Sequence, residues 1–580
     1  MTICWKLLAA AGLAIGATPL AAKAGSADAR LKALYDAEWA WRTKEFGSEE
    51  DEAKGIGPDH LPRVDAATQQ KRLAYWSGIL AKLDAIPLKD LSPEEQINAA
   101  VFRTSLSAFV TDIGYKTYEA PFNSDSFFWT EITPRQGYPS IDEYRRYVGR
   151  LRDIPRYFDE NVANMRAGLA RGFTVPRIAI EGRDKSIEAY LKPGADNPFY
   201  APIAKMPANI PAADRARITR EVEAAISDAA VPAYAKLLAF IRTEYMPKAR
   251  TELAAETLPD GKAYYQAMIT KFATLDLTPA QIHAIGLKEV ARIDAEMRAV
   301  MKKSGFKGSF PEFLAFLRTD PQFYATTPHQ LIAEATYISK KADHKLKDTF
   351  GFLPRYRHGI VAVPDAIAPI YTAGRGGLET CLFNTYNLPQ RPLYNLPALV
   401  LHECTPGHSF QAALALEGPS RPPFRRTTYF SGYGEGWGLY TEWLGTIMGI
   451  YETPYEDFGR LTYENWRASR LVIDTGIHQL GWSRKQAQDY LKEHTALSEH
   501  EITTEVDRYI SWPGQAVAYK LGEMLIRRKR GEAEAKLGTG FDQRKFHDAI
   551  LALGSVPLST LETRLDQFIA AGGENPKAAD

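Results

Sequence analysis

Two histidines and a glutamate stand close together in segment 399–411. His402 is followed directly by Glu403, and His408 comes six residues after the first histidine. Neutral imidazole is a good ligand for zinc, and a neighbouring carboxylate can act as general base on water at the metal. The residue types therefore predict a zinc site with His402 and His408 as ligands and Glu403 as the general base. The alternative is a buried histidine at the end of a helix, with a structural role only.

The spacing of the two histidines differs from that of the usual zinc-peptidase helix, in which they are four residues apart on one face. Six steps turn an ideal helix by about 240°, which would point the two rings away from each other. Pro406 lacks the N–H that would bond to the carbonyl of His402, and Gly407 lets the backbone change direction. We therefore expect a distorted turn that brings His408 beside His402.

A second segment, 432–442, supplies two carboxylates separated by two helical turns. Glu435 lies in the glycine-rich start of an expected helix, and Glu442 is on the same face. A catalytic zinc site uses three protein ligands and keeps one position open. We assign Glu435 as the third ligand of a single zinc ion and Glu442 as the residue that orients a ligand imidazole. The alternative makes both glutamates solvent-exposed helix charges.

These residues carry a resemblance to known proteins. The pattern His-Glu-x-x-Pro-Gly-His at 402–408, followed by Glu-Gly-Trp-x-Leu-Tyr-x-Glu at 435–442, resembles a bacterial family catalogued as a domain of unknown function. Segments 470–478 and 508–516 fit the same family. That family in turn resembles mostly helical zinc peptidases such as thimet oligopeptidase, angiotensin-converting enzyme and thermostable carboxypeptidase. Those enzymes carry a His-Glu-x-x-His helix and a ligand glutamate on the next helix.

The resemblance also implies roles for residues late in the chain. In the similar peptidases, tyrosines from this region donate to the developing oxyanion, and Tyr509 and Tyr519 are the candidates here. Arg508 is a candidate for binding a peptide carboxylate, because its planar guanidinium matches that group. His478 shares a helix face with charged residues, so it either supports the zinc site or belongs to a structural polar network.

Apolar residues at three- and four-residue spacing predict a mainly α fold. We expect two helical lobes around a deep cleft, with a small β-sheet beside the metal helix. The predicted helices include 29–46, 67–86, 93–113, 140–172 with an interruption at Pro155, and 214–251.

Short strands are predicted at 358–363 and 380–386, just before the zinc segment, with glycines 374–377 between them. The free edge of such a sheet can pair with an extended peptide. On that basis we place Asn384 and Tyr386 near the substrate. An ordinary hairpin that covers the core is the alternative.

The first 24 residues have the features of a secretory signal peptide. Lys6 precedes an apolar core at 7–17, and Ala22-Lys23-Ala24 is a small-x-small cleavage site. Because this apolar core is too short to cross a bilayer, we expect a periplasmic or secreted protein with no stable membrane span after signal removal. An uncleaved anchor is the alternative. An N-terminal helical lobe at 25–253 and a catalytic lobe at 254–580 would follow.

The net charge of the chain bears on its possible binding partners. The formal net charge of +1 gives no reason to expect nucleic acid or an anionic membrane surface as a partner.

Only Cys381 and Cys404 remain after signal removal, which excludes a disulfide framework. One bridge between these two cysteines is the alternative in an oxidising compartment, but we expect them to stay unpaired, because Cys404 would lie in the turn of the zinc site. Glu403 suits metal chemistry, so a nucleophilic Cys404 explains the segment less well.

The predicted function is that of a zinc-dependent peptidase that cleaves short peptides as a carboxypeptidase, dipeptidase or oligopeptidase. The competing class is a non-catalytic peptide-binding protein on a decayed peptidase scaffold. A zinc hydrolase that acts on amides or esters is a third reading. Substrate length, end preference and oligomeric state do not follow from the sequence.

Overall fold

The protein, represented by a computed structural model, is described over residues 26–47, 58–134, 137–365 and 368–575. Helices form most of these residues, which confirms the predicted mainly α fold class. Those of eight or more residues are α1 (Ala27–Phe46), α2 (Ala66–Asp84), α3 (Pro93–Gly114), α4 (Ile141–Arg171), α5 (Ala212–Lys248), α6 (Gly261–Ala273), α7 (Pro279–Lys303), α8 (Phe310–Thr319), α9 (Pro328–Thr349), α10 (Leu396–Glu403), α11 (His408–Glu417), α12 (Ser431–Met448), α13 (Pro454–His478), α14 (Arg484–His494), α15 (Glu499–Ser511), α16 (Ala518–Leu537), α17 (Gln543–Leu551) and α18 (Leu558–Ala570).

A small sheet precedes α10, as predicted. Its strands are β1 (Gly359–Ala362), β2 (Gly374–Arg375) and β3 (Thr380–Phe383), in the spatial order β1-β3-β2. Strand β1 runs parallel to β3, whereas β2 is antiparallel to it. The glycine segment between the two predicted strands thus contributes an edge strand of its own.

The hydrophobic core joins the two halves of the chain. One large cluster of buried side chains combines Leu31 and Phe102 with Trp437. A second combines Phe158 with Ile473 and other residues of α13 and α15. Burying apolar surface between early and late helices is the main favourable contribution to their association. The division into lobes at 253 is not tested by this packing and stays a prediction.

Helix α4 is continuous through Pro155, where the sequence predicts an interruption. Leu151 before the proline and Phe158 after it are buried in the same cluster. Proline removes one backbone hydrogen bond and crowds the preceding turn, but packing on both sides keeps the helix intact. Its start is fixed by a capping box in which Ser140 and Glu143 exchange hydrogen bonds with each other's backbone.

One helix in the described part of the chain is long and apolar enough by composition to cross a membrane, namely α5. Half of its most apolar stretch is buried inside the protein. Tyr234 and Leu237 of this helix pack in the same cluster as residues of α4, as expected for a core helix. The predicted signal peptide at 1–24 lies outside the described residues.

Candidate metal centre

The segment between the two histidines forms a break between two helices. Helix α10 ends at Glu403 and α11 begins at His408. A Cβ atom added to Gly407 would overlap the carbonyl oxygen of His402, so the chain can turn this tightly only with glycine there. The predicted distortion is therefore present, as a junction of two short helices and not as one bent helix.

This junction brings the two imidazole rings together. The ring centroids of His402 and His408 are 4.8 Å apart, and the ring planes are nearly perpendicular at 88°. Oε2 of Glu435, on α12, lies 3.3 Å from Nε2 of each histidine. The three candidate ligand atoms all lie within 4.8 Å of one another. The structure thus assembles the three residues that the sequence predicts as ligands.

Helix α12 approaches α10 closely because a glycine faces the first histidine. A Cβ atom added to Gly438 would lie 2.7 Å from Cε1 of His402, closer than a real contact permits. On the same helix, Nε1 of Trp437 donates a hydrogen bond of 2.9 Å to the carbonyl of Pro406. The glycine-rich sequence of α12 therefore positions Glu435 beside the histidine pair.

Glu442 orients the first histidine. Nδ1 of His402 donates to Oε1 of Glu442 at 2.7 Å, which directs Nε2 towards Glu435. A carboxylate bonded to one ring nitrogen fixes the tautomer and leaves the other nitrogen free to bind metal. Arg467 lies 3.6 Å from the same carboxylate oxygen, and its guanidinium lies 4.0 Å from the Trp466 ring. The hydrogen bond between Glu442 and His402 matches the orienting role that we assign to Glu442.

The charges at this centre favour a bound cation. Burial lowers the pKa of His402, but hydrogen bonds to Glu435 and Glu442 outweigh burial and raise it to about 9. Burial raises the pKa of Glu435, but the charge of His408 and hydrogen bonds to both histidines hold it well below its usual range. Oε2 of Glu442 is buried without a hydrogen-bond partner. Two imidazoles and one carboxylate, with further carboxylates nearby, fit a divalent zinc ion.

Glu403 is held by the edge of the sheet. Its Oε2 accepts a hydrogen bond of 2.7 Å from the backbone N–H of Gly376, which directly follows β2. A Cβ atom at Gly376 would overlap the carbonyl oxygen of Glu403. The edge strand therefore lies against the end of α10. The sequence shows this only as a glycine run between two strands.

The expectation that the two cysteines stay unpaired is wrong, because Cys381 and Cys404 form a disulfide. Cys381 lies in β3, Cys404 directly follows α10, and their Cα atoms are 5.8 Å apart, within the usual range. Both side chains are fully buried. The bond ties the sheet to the end of α10, on the side of the centre where Gly376 meets Glu403.

Tyr429 reaches the centre and is not predicted by the sequence. Its hydroxyl donates to Oε1 of Glu435 at 3.3 Å, although the residue as a whole is 55% exposed. Burial of the hydroxyl and the charge of Glu435 raise the pKa of Tyr429 well above its usual value, so the hydroxyl stays a donor. The only signal available is its position just before the glycine-rich helix.

Tyr519 and Arg508 form a pair near Tyr429. Nη2 of Arg508 donates to the hydroxyl of Tyr519 at 3.1 Å, and Tyr519 is near enough to Tyr429 to contribute to the raised pKa of Tyr429. Arg508 also lies 3.6 Å from Glu505 and 3.7 Å from Asp125. Its positive charge is therefore already offset by two carboxylates.

Tyr509 and His478 belong to a buried network that Arg470 connects to Tyr519, since the Arg470 guanidinium lies 4.2 Å from the Tyr519 ring. The hydroxyl of Tyr509 accepts hydrogen bonds from Trp466 at 2.8 Å and Arg470 at 3.0 Å. Nε2 of His478 donates to the backbone carbonyl of Tyr509 at 2.8 Å, and its Nδ1 accepts from the N–H of Ala255 at 3.1 Å. Burial lowers the pKa of His478 to about 3, so this imidazole is neutral. These contacts fit the alternative in which His478 belongs to a structural polar network.

Asn384 holds the turn that follows β3. Its Nδ2 donates to the carbonyls of Ala368 at 2.8 Å and Tyr371 at 2.9 Å, and its Oδ1 accepts from the N–H of Tyr386 at 2.9 Å. The polar atoms of this amide are thus engaged within the protein. Tyr386, by contrast, is half exposed.

Comparisons with known proteins place the chain in a family. Two solved structures, each described as a "putative lipoprotein" and the second also as "of unknown function", are similar to it. The one from Colwellia psychrerythraea has a TM-score of 0.85 at 26% identity and covers 94% of this chain and 100% of that chain. The one from Shewanella oneidensis has a TM-score of 0.69 at 18% identity, covers 93% of this chain and 99% of that chain, and shows the fold alone. No curated protein matches this chain. A family model described as "Bacterial protein of unknown function (DUF885)" matches residues 49–565, and the chain belongs to that family.

Proposed function

We propose that this protein is a zinc-dependent peptidase that hydrolyses short peptides. The observation that carries the proposal is the convergence of His402, His408 and Glu435 within 4.8 Å. Two histidines and one glutamate form a ligand set that catalytic zinc sites use while keeping one position open. The resemblance of the motif to helical zinc peptidases supports the same function.

One zinc ion is the proposed cofactor. His402, His408 and Glu435 would hold it, and Glu442 would keep the His402 ring in place. When bound, zinc polarises a substrate carbonyl and lowers the pKa of water at the open position. The neighbouring carboxylates make the centre suited to a cation, as the raised pKa of His402 also indicates.

Glu403 is the proposed general base. Its carboxylate would take a proton from the attacking water and return it to the leaving amine. The N–H of Gly376 fixes one carboxylate oxygen and so limits the rotamers of the side chain. A base held in one orientation loses less entropy when the transition state forms.

Tyr429 and Tyr519 are the proposed donors to the oxyanion. Fixed donors aimed at developing negative charge are a large contribution to catalysis of acyl transfer. Tyr429 is already within hydrogen-bond distance of Glu435, and Arg508 positions the hydroxyl of Tyr519. Tyr509 is less suited to this role, because its hydroxyl is occupied by Trp466 and Arg470.

The proposed location is the cell envelope or the exterior of the cell. The features of residues 1–24 support export. The two similar solved structures are each described as a "putative lipoprotein". Mass spectrometry of natively expressed protein would show a mature chain that begins near Gly25. A retained segment 1–24 would support the anchor reading.

A peptide-library digest read by mass spectrometry tests the proposed activity. Zinc-loaded wild-type protein should cleave short peptides, and the matched control Glu403→Gln, which keeps the shape of the side chain, should cleave them roughly 10²-fold more slowly or less. Peptides that bind but remain intact with the wild type would favour the non-catalytic peptide-binding protein. Cleavage of ester probes without cleavage of peptides would favour the third class of zinc hydrolase.

A further inference from the structure

A closed ring of contacts surrounds the proposed general base. Cys404, the residue directly after Glu403, is bonded to Cys381 in β3. Leu382, the next residue of β3, pairs with the edge strand β2. Gly376, directly after β2, donates its N–H to Oε2 of Glu403 at 2.7 Å. The ring therefore leaves the backbone beside Glu403 and returns to the Glu403 carboxylate.

A buried serine crosses this ring. Oγ of Ser409, in the first turn of α11, donates to the backbone carbonyl of Glu403 at 3.1 Å and accepts from the N–H of Gly377 at 3.2 Å. The residue is 1% exposed, so these bonds form in surroundings of low dielectric constant, where they are stronger than in water. Ser409 therefore holds the glycine pair 376–377 against the end of α10.

The glycine pair depends on this support. Strand β2 has two residues, so its pairing with β3 supplies few hydrogen bonds. A Cβ atom at Gly376 would overlap the carbonyl oxygen of Glu403, so no side chain can anchor the segment at that point. Glycine also loses more conformational freedom on folding than any other residue. The N–H that orients the Glu403 carboxylate is therefore fixed mainly by the attachments of β3 and of Ser409 at the end of α10.

The disulfide is the covalent attachment of β3. Pairing of β3 with β1 holds the sheet together, but it does not fix the sheet to α10. The two cysteines are 23 positions apart in the chain, a length that lets the sheet shift against the helix when the bond is open. The disulfide therefore sets the position of the sheet at the end of α10, and with it the position of the Gly376 N–H.

The candidate metal ligands have attachments of their own. Glu442 holds the His402 ring, and Nε1 of Trp437 donates to the carbonyl of Pro406 in the loop between the two histidines. Both side chains come from α12, which also carries Glu435. Opening the disulfide should thus release the general base and leave the ligand cluster together.

We propose that formation of this disulfide is a maturation step that places Glu403, so that the centre is completed only in an oxidising compartment. Cytosolic thiols keep cysteines reduced, whereas exported proteins meet disulfide oxidants. The two thiols lose two protons and two electrons to a disulfide of the oxidant, which leaves as two thiols. Both cysteines are fully buried, so a reductant reaches the bond only after local opening. The proposal rests on the proposed peptidase function and names a regulation of the same site.

Hydrogen exchange tests the placement without any assay of activity. The variant Cys381→Ala/Cys404→Ala is compared with the wild type by mass spectrometry after short labelling times. Exchange in segment 374–379 should be about tenfold faster in the variant, the factor that corresponds to one lost hydrogen bond. Peptides of α4 should stay protected in both proteins, and zinc per chain should be equal. Ser409→Ala, which keeps the disulfide, should accelerate the same segment, whereas Ser469→Ala, whose buried Oγ has no hydrogen-bond partner among the described residues, should not.

Refolding links the bond to activity. Wild type refolded with a phosphine reductant keeps both thiols, whereas wild type refolded with glutathione disulfide forms the bond. Counting alkylated cysteines by mass spectrometry verifies each form. After zinc loading, kcat of the reduced form for a short peptide should be lower by about tenfold or more, with KM little changed, because a small displacement of a reacting group slows the chemical step. The alanine double variant should give the same kcat after either treatment.

The outcomes separate the disulfide from the peptidase. Equal exchange in segment 374–379 with and without the bond would overturn the proposal, and so would equal kcat in forms that cleave peptides. Loss of zinc together with the bond would overturn it as well, because the bond would then support the ligands. So would equal acceleration of α4, which would mean a general loss of stability. Faster exchange confined to this segment, with zinc retained, would uphold the placement of Glu403 even if no form cleaved a peptide and the proposed function failed.

Discussion

Gly438 leaves no room for a side chain at the first histidine. Gly438→Ala should push the His402 ring out of position, since the new Cβ would lie 2.7 Å from its Cε1. We expect zinc affinity to fall about tenfold or more, on the scale of lost support to a ligand. Titration with a competing zinc chelator measures this. Gly78→Ala is the matched control, because that helical glycine has open space around it. Equal affinity in both variants would contradict the geometry.

The role of Glu403 separates metal binding from chemistry. Glu403→Gln keeps the volume of the side chain and can still accept the hydrogen bond from Gly376. Zinc content should stay near that of the wild type, while peptide hydrolysis should fall by roughly 10²-fold or more. Metal analysis and an initial-rate assay on the same preparation check both parts. Wild-type turnover in this variant would remove Glu403 from the mechanism.

The types and spacing of individual residues predict most of the candidate metal centre. His402, His408, Glu435 and Glu442 could be predicted as one cluster because few residue types and spacings suit a zinc ion. Tyr429 is not predicted, because a hydroxyl contributed by the loop before a helix follows no spacing rule. Its contact depends on how that loop folds over Glu435.

Among the elements, the disulfide between Cys381 and Cys404 joins the sheet to the end of α10. Replacing both Cys381 and Cys404 by alanine removes a crosslink between residues 23 positions apart. Closing a loop of this length is worth about 3 kcal/mol in the chain-entropy account. The double variant should lose about that much free energy of unfolding, measured by urea titration. Wild type unfolded in the presence of a reductant should match the variant. Equal stability with and without reductant would show that the disulfide does not contribute.

Helices and strands are predicted well where apolar residues recur at regular spacing. They are predicted less well where tertiary packing determines the local structure. Strands β1 and β3 are confirmed within a few residues. Pro155 does not interrupt α4, because buried residues on both sides hold the helix. The disulfide was not expected, since the sequence does not show that β3 lies beside the end of α10. These two differences are long-range effects that local patterns do not contain.

A buried neutral histidine makes the stability of the whole molecule depend on pH. The pKa of His478 is about 3 in the folded protein, below the value of about 6.5 for an unfolded chain. The unfolded state therefore binds more protons below pH 6.5, and stability falls as the pH decreases from about 6.5 towards 3. When the pH is lowered from 7 to 5, protonation of His478 in the unfolded state should reduce the free energy of unfolding by about 2 kcal/mol.

His478→Gln isolates this contribution from that of other titrating groups. Glutamine can still accept from the N–H of Ala255 and donate to the carbonyl of Tyr509, but it does not titrate. Urea unfolding at pH 7 and pH 5 should show that the wild type loses about 2 kcal/mol more than the variant. The same pH dependence in both proteins would mean that His478 is not held neutral by burial.

The central claim is that two histidines six residues apart and one distant glutamate form a single zinc site. Zinc per chain, measured by plasma mass spectrometry on folded, purified protein, tests it most directly. We expect about one zinc in the wild type and in His478→Ala, and far less in His402→Ala, His408→Ala and Glu435→Ala, because a catalytic site needs three protein ligands. Full zinc content in His408→Ala, with loss of zinc in His478→Ala, would contradict the account.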